Sequence, residues 1–158
     1  YSVTKVAGEE LCKMFYKLYG LETVIFRYFN VYGDRQPTSG QYAPVVGLFQ
    51  RQLKEETPLT VVGDGLQSRD FTHVSDVVEA NLKAAFTENK RAFGQTFNIG
   101  AGKNYTVMDL VKMVGGEDAF YINLPERLGE ARHSKSDTSK AKEILEWEAK
   151  VDLGEWLK

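Results

Sequence analysis

Tyr1 and Lys5 stand four residues apart in the opening segment YSVTKVAGEELCKMFYKLYG. On a helix that spacing places both side chains on one face. An ammonium beside a phenol favours the phenolate, so such a pair can take a proton from a substrate hydroxyl and return it. The same spacing also arises by chance, and alone it marks only a candidate. Arg69 in GDGLQSRDFTHVSD, with Arg127 and Arg132 in PERLGEARHSKSD, adds anion-binding capacity in loop-like segments. Guanidinium forks suit phosphate oxygens, although the usual fate of a surface arginine is solvation. Asn30 closes the apolar run LETVIFRYFN. A polar amide at the carboxyl end of a buried parallel strand stands where open α/β sheets bind ligands.

Other chemistries are poorly provided for. GAG at Gly100–Gly102 fails as a dinucleotide fingerprint, because the third glycine would fall on Tyr105. No G-x-S-x-G elbow occurs, which leaves a serine hydrolase unsupported. One cysteine, Cys12, allows no internal disulfide and fits a reducing compartment. With two histidines, His73 and His133, there are too few ligands for a zinc site, and no metal is expected. The net charge of −2 gives no bulk attraction to nucleic acid or anionic membrane. No apolar run approaches a membrane span and no signal peptide is visible, so a cytoplasmic protein is expected. Hydrophobic residues at 42% and charged residues at 27% are ordinary for a globular domain.

The elements that must position these residues alternate in type. Val3, Ala7, Leu11, Met14, Phe15 and Leu18 form a helical stripe that Gly20 stops. Thr23–Phe29 is β-branched and aromatic, apolar on both sides, and reads as a strand buried on both faces. A loop, DRQPTSGQYAP, leads to a helix in VVGLFQRQLKEE and a short strand, LTVV, closed by the turn Gly63-Asp64-Gly65. Ser75 or Asp76 is expected to cap a helix from Val77 to about Thr87, with Glu79 completing a box with Asp76. QTFNIG and AFYIN read as strands, VMDLVKMVG as a helix boxed by Thr106 and Asp109, and DTSKAKEILEW as a last clear helix. The class is α/β. Yet Thr23–Phe29 and Thr96–Ile99 are the two long sheet-core candidates, too few to cover both faces of a parallel sheet. The chain is therefore expected to be part of a larger sheet-based protein.

The segments YSVTKVAGEEL, RYFNVYGDRQ, GDGLQSRDFTHVSDVVEAN, FNIGAG and GEARHSKSDTSKAKEILEW, in this order, resemble the extended short-chain dehydrogenase/reductases. Within these the chain is most similar to the UDP-sugar 4-epimerases of the NAD-dependent epimerase/dehydratase family. The resemblance covers nearly the whole chain. It implies a Rossmann-like α/β fold of which this chain is the C-terminal half, with the phosphate loop upstream, and a half-protein that does not turn over substrate alone. It implies residues 1–35 as a remnant of the Rossmann domain and 36–158 as mainly substrate-binding region, with 74–100 returning to the Rossmann sheet.

Residue by residue, the resemblance makes Tyr1 the acid/base and Lys5 its partner, both touching NAD, with Tyr28 and Phe29 facing the nicotinamide. Asn30 is implied to contact the phosphates of a UDP-sugar, Arg69 and Arg127 its diphosphate, and Glu130 the uridine ribose. Tyr42, Ala43 and Val45 are implied to pass over the sugar, and Val61 or Val62 to edge the uracil. Ser134 is implied to lie against the sugar's C2 substituent, leaving room for an N-acetyl group. A homodimer through the helix Tyr1–Tyr19 is also implied. Many relatives carry Pro where this chain has Asp34, which changes loop stiffness more than chemistry. Competing expectations are a 4,6-dehydratase or UDP-glucuronate decarboxylase of the same fold, or a non-catalytic sugar-nucleotide-binding or subunit-interaction module.

Overall fold

The computed structural model describes all residues except Gln41, Tyr42 and Leu128. The predicted contact of Tyr42 thus lies outside the described residues.

Helix α1 runs Ser2–Tyr19, with Tyr1 as its N-cap and Gly20 ending it in the left-handed region at φ 67°. It lies on a parallel pair formed by β1 (Val24–Tyr28) and β6 (Gln95–Ile99), in register from Val24 opposite Gln95 to Tyr28 opposite Ile99. The one buried residue of α1 is Glu9. Its carboxylate takes both arms of the Arg27 guanidinium at 2.6 Å each, and this fork holds the Glu9 carboxyl below the usual carboxylate range. The apolar stripe faces outward instead, with Val3 81% and Leu18 62% exposed.

The opposite face of β1 and β6 is covered by α3 (Val74–Ala85) and α5 (Ser139–Leu145), and their contact encloses Phe97, Ile99, Ala80, Ile144 and Trp147. A second core gathers Tyr32, Phe49, Val61, Phe71 and Leu110. It lies between α2 (Val45–Lys54), α4 (Val107–Gly115) and the parallel pair of β3 (Leu59–Val62) and β8 (Tyr121–Leu124). Two smaller ladders link the cores. β2 (Val31–Tyr32) runs parallel to β5 (Thr72–His73), and β4 (Ser68–Asp70) antiparallel to β7 (Asn104–Thr106). Helix α6 (Leu153–Trp156) closes the second core.

The predicted box of Thr106 with Asp109 is present, with bonds of 3.0 and 2.7 Å. The expected capping of α3 is corrected. The helix starts at Val74, and His73 is the cap, its Nδ1 accepting the Ser75 N–H at 3.2 Å. Asp76 is drawn elsewhere: it is 2% exposed and accepts the Val151 N–H at 3.1 Å. Helix α5, expected with the substrate region, joins the core of β1 and β6. No described helix is long and apolar enough to cross a membrane.

Candidate functional site

The carboxyl ends of β1 and β4 meet at Asn30. Its backbone sits at φ 28°, a left-handed conformation that asparagine tolerates better than most residues. Its Nδ2 donates to the Asp70 carbonyl at 2.6 Å. The Asp70 carboxylate, fully buried, accepts the Ala101 N–H at 2.8 Å, the Gly102 N–H at 2.9 Å, the Ser136 N–H at 3.0 Å and the Ser136 hydroxyl at 2.5 Å. The Gly100–Gly102 turn therefore wraps the chain's own carboxylate. A side chain at Gly100 would collide with Ser136 Oγ. This knot fixes β4, and with it Arg69, against the loop carrying Arg132, His133 and Ser134.

Beside Asn30 opens a cleft of about 470 Å³. Its wall is Val31, Leu48, Phe71, Val107 and Leu124; its polar groups are Asn30, Thr60, Gln67, Arg69, Arg127 and Glu130. Such a mainly apolar cavity with a few convergent polar groups is the usual form of a small-molecule site. Arg69 donates through Nη2 to Glu130 Oε1 at 2.8 Å and through Nη1 to the carbonyls of Ser68 and Arg132. Arg132 is committed elsewhere. It grips Asp64 through both nitrogens at 2.8 and 2.6 Å, and that fork, helped by the Leu66 N–H, pushes the Asp64 carboxyl down to about 2. The pair ties the loop to the Gly63–Gly65 turn. The described residues hold no cluster of metal ligands.

Of the predicted site residues, Asn30, Ala43, Val45, Val62, Arg69, Arg127 and Glu130 line this one cleft. Val61 does not: it is fully buried in the second core. Strand alternation explains the correction, since Leu59 and Val61 face inward and Thr60 and Val62 face the cleft. Asn30 spends one amide hydrogen on Asp70 rather than holding both for a ligand. Ser134 is half-buried, its N–H bonded to the Ser68 carbonyl at 3.0 Å, and is not on the cleft wall. Tyr1 is 92% exposed, and the Lys5 ammonium lies 5.1 Å from its ring centroid, over the face rather than at the hydroxyl. Neither lines the cleft. The Tyr28 hydroxyl bonds Asn81, and Phe29 extends the ladder through its N–H to the Ile99 carbonyl at 3.0 Å.

Among the polar residues of the cleft, Gln67 and Thr60 were missed. Gln67 is held by its own bond to the Val62 carbonyl at 2.8 Å. The alternation of LTVV would have placed Thr60 beside Val62. Tyr32, the second tyrosine of the region, is no proton relay: it is 1% exposed, and burial pushes its hydroxyl well above its usual range.

The sequence profile of the NAD dependent epimerase/dehydratase family matches residues 1–100. The crystal structure of UDP-glucose 4-epimerase with UDP-glucose from Thermotoga maritima superposes with a TM-score of 0.91 at 39% identity, over 100% of this chain and 50% of that one. UDP-glucuronic acid 4-epimerase from Bacillus cereus, solved with UDP-glucuronic acid and NAD, gives 0.86 at 34% identity, over 98% and 49%. UDP-glucuronic acid decarboxylase 1 of Arabidopsis thaliana is 36% identical over 160 residues, 99% of this chain and 35% of that protein. The chain spans about half the length of the first curated relatives it matches.

Proposed function

We propose, starting from the fact that this chain belongs to the NAD dependent epimerase/dehydratase family, that it forms the substrate-binding half of a UDP-sugar 4-epimerase. In this reading Tyr1 is the acid/base and Lys5 its partner. The observation that carries it is the single cleft in which Arg69, Arg127, Glu130 and Asn30 converge at the carboxyl end of a parallel strand pair. Two guanidinium groups suit a diphosphate, a carboxylate suits ribose hydroxyls, and the Val62 and Leu124 wall suits a flat base. Arg69 already pairs with Glu130, so both are oriented before a ligand arrives.

Tyr1 then removes the proton from the sugar's 4-hydroxyl and later returns it, while the Lys5 ammonium lies against the ring. NAD, when bound, would supply the hydride acceptor and donor that oxidation and re-reduction at the sugar C4 require. Tyr1 and Lys5 are both exposed, so a nicotinamide ribose has access to them. In this reading residues 1–35 and 74–100 belong to the cofactor-side sheet and most of 36–158 to the substrate region. The half is the one that follows the phosphate loop, and the outward stripe of α1 is a homodimer contact. A second reading, decarboxylation of a UDP-uronic acid after the same C4 oxidation, is favoured by the 36% identity to a decarboxylase.

The test is the complete gene product with NAD and, separately, UDP-glucose, UDP-N-acetylglucosamine and UDP-glucuronic acid, products resolved by chromatography. Epimers are expected. A pentose product would support the second reading, and no product from any of them would refute both. Tyr1→Phe keeps the ring and loses the hydroxyl, so activity should fall about 10²–10⁴-fold with UDP affinity unchanged.

A further inference from the structure

Tyr1, Lys5 and Glu9 recur every four residues and share one face of α1. Residues 1–8 are all exposed, and among the described residues their side chains make no hydrogen bond to another element. Glu9 is the first anchor met after Tyr1. Beyond it, the Cys12 carbonyl accepts from Thr23 Oγ1 at 3.2 Å, and Tyr16 lies against Phe93 with ring centroids 6.3 Å apart.

These contacts fix direction. Moving back along α1, from Cys12 to Glu9, corresponds to moving forward along β1, from Thr23 to Arg27, so helix and strand are antiparallel. From Glu9 back to Tyr1 is eight residues, about 12 Å of helix. From Arg27 forward to Asn30 is three residues, about 10 Å of extended chain. Both paths run from the fork toward the carboxyl end of β1, so the anchor at Glu9 sets Tyr1 on the side of the sheet end where Phe29 and Asn30 follow β1.

We infer that the Glu9–Arg27 fork is a positioning device, which sets the rotation and axial height of α1 so that Tyr1 and Lys5 face the reacting end of the site. A single-point contact would let the helix roll about its axis. A two-point fork, Nε to Oε1 and Nη2 to Oε2, fixes the plane of both groups. The hydroxyl bond at Cys12 and the ring contact at Tyr16 lie further from Tyr1 and lack the two-point geometry of the fork. The inference rests on the reading of Tyr1 as acid/base, but the geometry of the anchor does not.

The experiment uses the complete gene product and its Arg27→Gln, Arg27→Lys and Glu9→Gln variants. Three quantities are measured: kcat and KM for the UDP-sugar turned over, the Kd for UDP, and amide hydrogen exchange in the first two turns of α1. Misplacement by about 1 Å can cost about a hundredfold in rate, so kcat should fall about tenfold to a hundredfold in both neutral variants. The Kd for UDP should stay within about twofold, because the cleft is built by other elements, and exchange in those turns should rise. Arg27→Lys keeps the charge, loses the fork, and should recover only part of kcat. The idea is overturned if exchange and kcat are unchanged, if lysine restores full kcat, or if kcat and UDP affinity fall together in step with thermal stability. Should the unmodified protein turn over no UDP-sugar, the functional reading fails, and the exchange arm alone decides whether the fork holds the helix.

Discussion

Replacing Asp70 should destabilise this chain more than its small size suggests. Its carboxylate is fully buried and is the acceptor for three backbone N–H groups and one hydroxyl. In Asp70→Ala three of these donors lose their partner, while the Gly102 N–H keeps a bond of 3.3 Å to Ser136 Oγ. At about 1 kcal/mol for each orphaned donor, the low end of the range, the loss is about 3 kcal/mol. That is a large share of the ~5–15 kcal/mol that holds a typical domain together. Asp70→Asn separates shape from chemistry. It fills the same volume but turns an amide NH₂ toward donors, and should lose nearly as much. Urea unfolding can be followed by the fluorescence of Trp147, itself fully buried. With a slope of about 2 kcal/mol per molar, the midpoint should fall by about 1.5 M in the alanine variant. A fall below about 0.5 M in both variants would refute the reasoning, since the donors would then be satisfied without the carboxylate.

Ser134 stands beside Arg69, bonded to Ser68, and not on the cleft wall itself; if it still borders the sugar in the complete gene product, Ser134→Tyr should lower kcat/KM for N-acetylated UDP-sugars selectively, and an equal fall for plain hexoses would remove Ser134 as the gate. Asp64 predicts a pH effect. Its folded pKa is depressed to about 2 by Arg132, so the pair's contribution is present above the ordinary Asp value and is lost as pH falls toward 2. Asp64→Asn should therefore flatten that part of the acid unfolding curve and leave the curve above pH 5 parallel to the original, checked by circular dichroism across pH 2–6.

What the sequence made legible follows from what each segment buries. Thr23–Phe29 could be read from its β-branched and aromatic run and Thr96–Ile99 from its apolar residues, and they became β1 and β6 paired in parallel. The expected burial of Thr23–Phe29 on both faces is corrected, because Val24–Phe26 are half-buried and Arg27 and Tyr28 are exposed. Ser68–Asp70 and Asn104–Thr106 could not, since SRD and NYT carry no strand pattern, and their pairing is held by the Asp70 knot and the chain around it. Asp76 looked like a cap because local spacing favours it, but its carboxylate was claimed by Val151, seventy-five residues on. Most of the polar cleft residues could be found by resemblance, whereas Gln67 and Thr60 belong to the site only through strand alternation and a side-chain bond. The outward turn of the α1 stripe was invisible to periodicity, which finds an apolar face without saying what covers it.

The left-handed backbone at Asn30 narrows what evolution or a mutational library can place there. Glycine would accept φ 28° but would release the Asp70 carbonyl. Aspartate would keep the shape and set an oxygen against that carbonyl. Any β-branched residue would strain the main chain. Asparagine alone meets both demands, so near-invariance at this position across relatives is expected from the backbone itself. A conserved asparagine here would then be weak testimony for ligand contact, and the more informative position is Arg127, where no such constraint competes.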